Sequence, residues 1–230
     1  MTRLFNNNFK VFTLIAIAFI LASCDHSYPY YAESFINCYY EITGVSVKPS
    51  IYPSSNISFI ALNGRSGDLT SSGEDLEWYR SICAQNNDVT FNREIWLLLR
   101  MPETIALTPD MVSLEVTTNQ DYDDLHPAGS SLNDCVMIEY WSAYPFIQAG
   151  YKPDKKDGWS YHPEFYHKKL LSELQAEDLK IVLYDDCDLS FSTLPAETGV
   201  YEMTLQMTLA GGKTHKSTFK YDFSEMTVVK

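Results

Sequence analysis

The sequence predicts a mainly β protein, an antiparallel immunoglobulin-like β-sandwich with one short helix. Three observations carry that expectation. A C-terminal stretch places apolar residues on every second position across a glycine turn, several further apolar runs of strand length are separated by Pro, Gly and Asp, and only one segment has helical spacing. Composition agrees: 45% hydrophobic and 14% aromatic residues among 230 allow a sizeable core and exclude a disordered or collagenous chain. Residues 38–230 are read as a single β-sandwich domain.

The elements follow in order. Residues 39–48 carry Ile42, Val45 and Val47 among polar partners, and Pro49 stops the run. Residues 57–62 form a second strand, with Asn63-Gly64 and Ser66-Gly67 supplying turn chemistry after it. The stretch 69–73 is a loop. Residues 74–85 fit a helix or a strand, and their period does not arbitrate. In residues 93–101 Ile95, Trp96 and three leucines run continuously up to Pro102, which suits a strand buried on both faces. Residues 111–118 alternate Val112, Leu114 and Val116 against Ser113, Glu115 and Thr117. Residues 136–141 are a short strand. The expected helix is 164–175, where Phe165, Leu170, Leu171 and Leu174 lie at helical spacing behind Pro163. A strand at 179–184 precedes the hairpin, in which Tyr201, Met203, Leu205, Met207 and Leu209 share one face. Residues 210–213 turn the chain on two glycines, and Phe219, Tyr221 and Phe223 return on one face.

The N-terminus reads as an address. Arg3 and Lys10 precede an apolar run at residues 11–22, broken only by Thr13, with the polarity and length of a signal-peptide core. A helix that short rises only about 18 Å, against a hydrocarbon layer of about 30 Å. The run ends in Leu21-Ala22-Ser23-Cys24, which resembles the bacterial lipobox. Residues 1–23 are therefore expected to be a lipoprotein signal peptide, Cys24 the lipidated residue and 24–37 a tether. Two or more acyl chains at about 0.8 kcal/mol per buried methylene make release from a membrane negligible. An ordinary secretory signal with a coincidental cysteine is the alternative.

With Arg3 and Lys10 removed, 15 cationic residues face 30 acidic ones, the wrong balance for a protein that tracks phosphates. Nucleic acid is not an expected partner. Cys38, Cys83, Cys135 and Cys187 remain, an even number in a compartment where disulfides persist. Their wide spacing argues against a zinc knuckle or a redox pair, and leaves two disulfides or four buried thiols as equal readings.

Residues 118–134 read TNQDYDDLHPAGSSLND, from Thr118-Asn119-Gln120-Asp121-Tyr122-Asp123-Asp124 through His126-Pro127-Ala128-Gly129-Ser130 to Leu132-Asn133-Asp134. This segment resembles a signature of an uncharacterised envelope lipoprotein family of Bacteroidota bacteria, and the closing hairpin around Gly212-Lys213 is similar to that family's last strands. The resemblance implies a β-rich envelope lipoprotein and brings no activity with it.

Two chemical features stand out. Asp121, Asp123 and Asp124, with Asn119, offer closely spaced oxygens to a hard cation such as Ca2+, but the EF-hand pattern fails, since Asp124 stands at its glycine position and Ser130 at its bidentate Glu. The competing reading is an Asx-rich turn whose carboxylates accept backbone amides. Farther on, Trp141, Tyr144, Trp159 and Tyr161 lead a crowd of rings that either stack on a ligand or pack on the sandwich edge. Motifs for nucleophilic, metalloprotease, Walker or dinucleotide chemistry are missing, and His162 and His167, five apart, do not share a helical face. No cofactor is expected. The expectation is a non-enzymatic binding or accessory module, held to the membrane by its lipid, for a glycan or a protein. A hydrolase with an unfamiliar site and a structural envelope protein are the alternatives.

Mass spectrometry of the N-terminal peptide tests the address. A diacylglyceryl group on Cys24 is expected, with Cys24→Ser moving the protein to the soluble fraction, whereas an unmodified Cys24 removes the anchor.

Overall fold

The computed structural model describes residues 28–49, 57–97, 104–152, 165–184 and 187–224. The chain is mainly β. Strands β1 (Tyr28–Ala32), β2 (Cys38–Pro49) and β3 (Ile57–Asp68) lead into helix α1 (Glu74–Gln85), followed by β4 (Arg93–Leu97), β5 (Ile105–Thr108), β6 (Met111–Thr118) and β7 (Val136–Trp141). Helix α2 (Tyr144–Gln148), β8 (Tyr166–Leu170), 3-10 turns at Leu171–Glu173 and Ala176–Leu179, β9 (Cys187–Phe191), β10 (Val200–Leu209) and β11 (Thr214–Asp222) complete it.

A six-stranded sheet runs β5-β2-β3-β9-β7-β8, a three-stranded sheet runs β11-β10-β6, and β1 pairs with β4 in a separate ribbon. The two larger sheets share one core. Ile42, Phe59, Ile138 and Leu189 from the first meet Leu114, Val116, Met203, Leu205 and Met207 from the second. Met203, Leu205 and Met207 are completely buried, and each such side chain stabilises the fold by roughly 1.5–3 kcal/mol. The expected alternation of β10 is realised in full, and Gly211 and Gly212 take φ of 90° and 83° at its turn.

Several expectations are corrected. The segment expected as a helix at 164–175 is strand β8 followed by 3-10 turns, because Tyr166, Lys168 and Leu170 find partners in Trp141, Glu139 and Met137 across the sheet. Residues 74–85, undecided by period, are helical. Tyr79, Ile82 and Cys83 form the buried stripe, and the helix packs so closely on β3 that a Cβ on Gly67 would lie 2.7 Å from the Asp75 carbonyl oxygen. Among the described residues the α-helices are therefore two, at Glu74–Gln85 and Tyr144–Gln148, and neither is the expected one. In β6 a register shift beside Leu209 puts Met111 inside and leaves Val112 exposed, against the expected inward Val112. Not every pair is antiparallel, since β2 and β5 run parallel. The tether reading also ends early: Tyr28–Ala32 pairs with Arg93–Leu97. Residues 179–184 contribute isolated bridges at Val182 and Leu183 in place of a strand. Cys38, Cys83, Cys135 and Cys187 are buried thiols, not bridges.

A second core under α1 gathers Phe35, Phe91, Phe146, Phe165 and Tyr151. One carboxylate fixes it. Helix α1 ends in a Schellman arrangement, with Asn87 at φ 56° and the Asp88 amide donating to the Cys83 carbonyl at 2.8 Å. That turn aims the fully buried Asp88 at the 33–37 segment, where its oxygens accept the amides of Phe35 (2.7 Å) and Ile36 (2.9 Å) and the Tyr151 hydroxyl (3.0 Å). Burial pushes the Asp88 carboxyl up, against the pull of those three donors.

Asp88→Ala is expected to lower stability by about 2–4 kcal/mol, because it strands buried donors on two elements. Urea unfolding measures this, and a loss below about 1 kcal/mol would show that water replaces the carboxylate.

Candidate functional site

The outer face of β7 and β8 presents the most organised surface chemistry among the described residues. Strand β7 alternates so that Val136, Ile138 and Tyr140 enter the core while Met137, Glu139 and Trp141 face outward. Register then matches Met137 with Leu170, Glu139 with Lys168 and Trp141 with Tyr166. The result is a ladder of one apolar pair, one ion pair and one aromatic pair. Lys168 Nζ donates to Glu139 Oε1 at 2.6 Å and the Tyr166 hydroxyl to Oε2 at 2.6 Å. The rings of Trp141 and Tyr166 meet edge to face, with centroids 5.5 Å apart. The charged rung continues inward: Glu139 lies beside Asp188 of β9, and Asp188 beside Ser58 of β3, whose hydroxyl donates to its carboxylate. Burial alone would raise the Glu139 carboxyl, but Lys168 and Tyr166 hold it below the usual carboxylate range.

The expected aromatic crowd divides. Tyr140, Phe146, Tyr151 and Phe165 are core side chains, each at most 5% exposed. Trp141 and Tyr144 stand half-buried at the margin of the second core, and the Tyr144 ring takes the Lys180 ammonium at 5.1 Å from its centroid. Tyr166 is 38% exposed. Trp159, Tyr161 and His162 lie outside the described residues, as does Cys24.

The acidic segment is a tight loop hung from β6. Asn133 clamps it, accepting from the Val116 amide at 3.1 Å and donating to the Leu114 carbonyl at 2.9 Å. The completely buried Tyr122 roots it among Tyr201, Phe191 and Phe223. Of the three calcium candidates, Asp121 accepts from the Ala128 amide at 2.8 Å, and Asp123 Oδ1 accepts from the Leu125 and His126 amides at 2.8 and 2.9 Å. This is the Asx-turn arrangement. Asp124 is exposed.

Around His126 the loop converges. Its Nδ1 faces Asp123 Oδ1 at 2.7 Å, its Nε2 faces Asp134 Oδ1 at 3.0 Å, and Cys135 Sγ lies 4.0 and 3.8 Å from the two nitrogens. The hydrogen bond that its ring donates to Asp123 leads the effects that raise the His126 pKa. Burial first, then the charges of Asp134 and Asp123, push the Cys135 thiol up to about 11. Thiol and imidazole are neighbours, but both ring nitrogens point at carboxylates and burial raises the thiol, the reverse of what activates a nucleophilic dyad.

No family model, curated protein or solved structure matches this chain. No helix among the described residues is long and apolar enough to cross a membrane. Sequence reasoning singled out Trp141 but not Glu139 or Lys168. Their signal was the two-residue period of β7, hidden because its partner strand carried a helix-like leucine pattern. His126 falls in the segment 118–134 that carries the family resemblance, but its spacing of nine residues from Cys135 matches no metal or catalytic motif.

The depressed Glu139 pKa fixes a pH sign: its ion pair is intact above the ordinary Glu value and is lost as pH falls through the lower, folded one. Trp141 fluorescence should therefore hold steady from neutral pH down to the ordinary Glu range and change only below it. In Lys168→Met the change should begin at higher pH. An unchanged profile in that variant would show that Lys168 does not set the Glu139 titration.

Proposed function

We propose that this protein is a non-enzymatic, lipid-anchored binding or accessory module of the bacterial outer membrane, built on an immunoglobulin-like β-sandwich, and that its ligand is a glycan. The observation that carries the reading is the Trp141–Tyr166 pair next to the Glu139–Lys168 rung on the outer face of the sheet's edge strand. Aromatic faces stack on the apolar faces of sugar rings, while a fixed carboxylate and ammonium beside them accept from and donate to hydroxyls. The two sheets that share one core support the sandwich, with the parallel β2–β5 pair as its departure from the immunoglobulin pattern. The lipobox at residues 21–24 and the resemblance of residues 118–134 to an envelope lipoprotein family support the location. The lipid on Cys24 is the contact with the membrane, and the acidic charge argues against nucleic acid.

The test is a glycan array with parallel pull-downs on a chain starting at residue 25. A saccharide should be retained, and Trp141→Ala should weaken it at least tenfold, as loss of an anchoring ring worth more than about 1.4 kcal/mol would. A blank array with a specific protein captured would replace the glycan by a protein ligand. If both stay blank, the binding-module reading fails and a structural envelope role takes its place. Protease shaving of intact cells then tells whether the module faces the medium or the periplasm.

A further inference from the structure

The acidic loop holds a set of donors that the proposed ligand face does not use. Asp123, His126 and Cys135 each offer one ligand atom, and these atoms lie within 4.8 Å of one another. The set mixes nitrogen, sulfur and carboxylate oxygen, the chemistry of a borderline cation and not of Ca2+, which takes oxygen. The donors are held in place before any ion arrives. His126 is closed into a turn by the pairing of its backbone with Asp123, the Tyr122 amide donates to the His126 carbonyl at 2.8 Å, and the Cys135 carbonyl accepts from the amide of Ser192, just after β9, at 2.8 Å.

We propose that Asp123, His126 Nδ1 and Cys135 bind one divalent cation of the Zn2+ class, with Asp134 orienting the ring from its far side. Ligands at about 2.0–2.1 Å for nitrogen and about 2.3 Å for sulfur stand roughly 3.5 Å apart around a tetrahedral ion. The Nδ1 to Sγ separation is 4.0 Å and the Nδ1 to Asp123 Oδ1 separation 2.7 Å, so taking up the ion requires the sulfur to approach and the carboxylate to draw back by roughly 0.5 Å each. Asp134 faces Nε2 at 3.0 Å, the outer carboxylate that metal-bound histidines commonly use to fix their tautomer. Binding sends the Nδ1 proton and the thiol proton to solvent and leaves Nε2–H on Asp134. The Asp134 side chain is 60% exposed, which leaves the cluster an approach from solvent, while Cys135 is 3% exposed. The fourth position is left to water or to a partner's donor. Cys135 directly precedes β7 and Trp141 closes it, so the site lies at the opposite end of that strand from the Trp141 face.

Titration of the full chain in detergent with Co2+ and Zn2+ tests this. One Co2+ per chain is expected, with a thiolate-to-cobalt charge-transfer band that Zn2+ displaces, and Zn2+ should shield Cys135 from alkylation in the unmodified protein. Cys135→Ser should abolish the band, Asp134→Asn should weaken binding by roughly 10- to 100-fold, and Asp124→Asn and Cys83→Ser should leave it unchanged. Absence of stoichiometric binding, a band that survives in Cys135→Ser, or alkylation of Cys135 unaffected by Zn2+ would overturn the site, and His126 would then be an ion-paired imidazolium alone.

Discussion

The fold depends on one contact, the face of β10 pressed onto the six-stranded sheet. Tyr201, Met203, Leu205, Met207 and Leu209 are each at most 2% exposed, and their register to β6 sets where Leu114 and Val116 enter the same core. Everything that hangs from β6 inherits that placement. Asn133 reaches back to residues 114 and 116, Tyr122 settles against Tyr201, and the His126 turn is thereby held at the margin of a packed wall. A one-residue slip of β10 would turn its apolar row to water and release the loop along with the core.

An acidic chain has many carboxylates to spare for solvent, yet several here do backbone work. Asp68 takes the Thr70 amide, Asp88 those of Phe35 and Ile36, Asp110 that of Ile181, Asp121 that of Ala128 and Asp178 that of Gln175. Asp68, Asp121 and Asp178 close local turns, whereas Asp88 and Asp110 tie together segments far apart in the chain. Their titrations oppose one another. Burial raises Asp88 and Asp110, so their contribution falls as pH rises from the ordinary carboxylate value through the raised one. Asp178 goes the other way: despite its burial, Lys169 and the Gln175 amide hold it low, and its contribution is lost as pH falls through that value. Net charge alone says nothing of this division.

What the sequence revealed follows the same physics. The hairpin β10–β11 was legible because both faces are decided locally, one by the shared core and one by solvent. Helix α1 was ambiguous by period, since its stripe is short and flanked by Trp78 and Leu76 on the half-buried side. Strand β8 was misread because Leu170, Leu171 and Leu174 sit at helical spacing while Tyr166, Lys168 and Leu170 are claimed across the sheet by β7. Tertiary pairing decided between them. The His126 cluster was beyond reach for a different reason: its members meet through a loop whose path is set by Asn133 and Tyr122, and neither residue advertises that role.

The edge of the sheet joins these threads. A five-residue edge strand with two lysines is a common guard against pairing with another chain. Here both lysines fold back onto the protein's own acids, Lys168 onto Glu139 and Lys169 onto Asp178. Lys169 thereby ties the strand to the 3-10 turn Ala176–Leu179, and Lys168 fixes the carboxylate that also receives the Tyr166 hydroxyl. The charges that guard the edge are thus the same charges that hold Tyr166 in place beside Trp141. Neutralising the Glu139–Lys168 pair would loosen the edge strand and the aromatic pair together, so the proposed ligand face and the defence of the sheet draw on the same side chains.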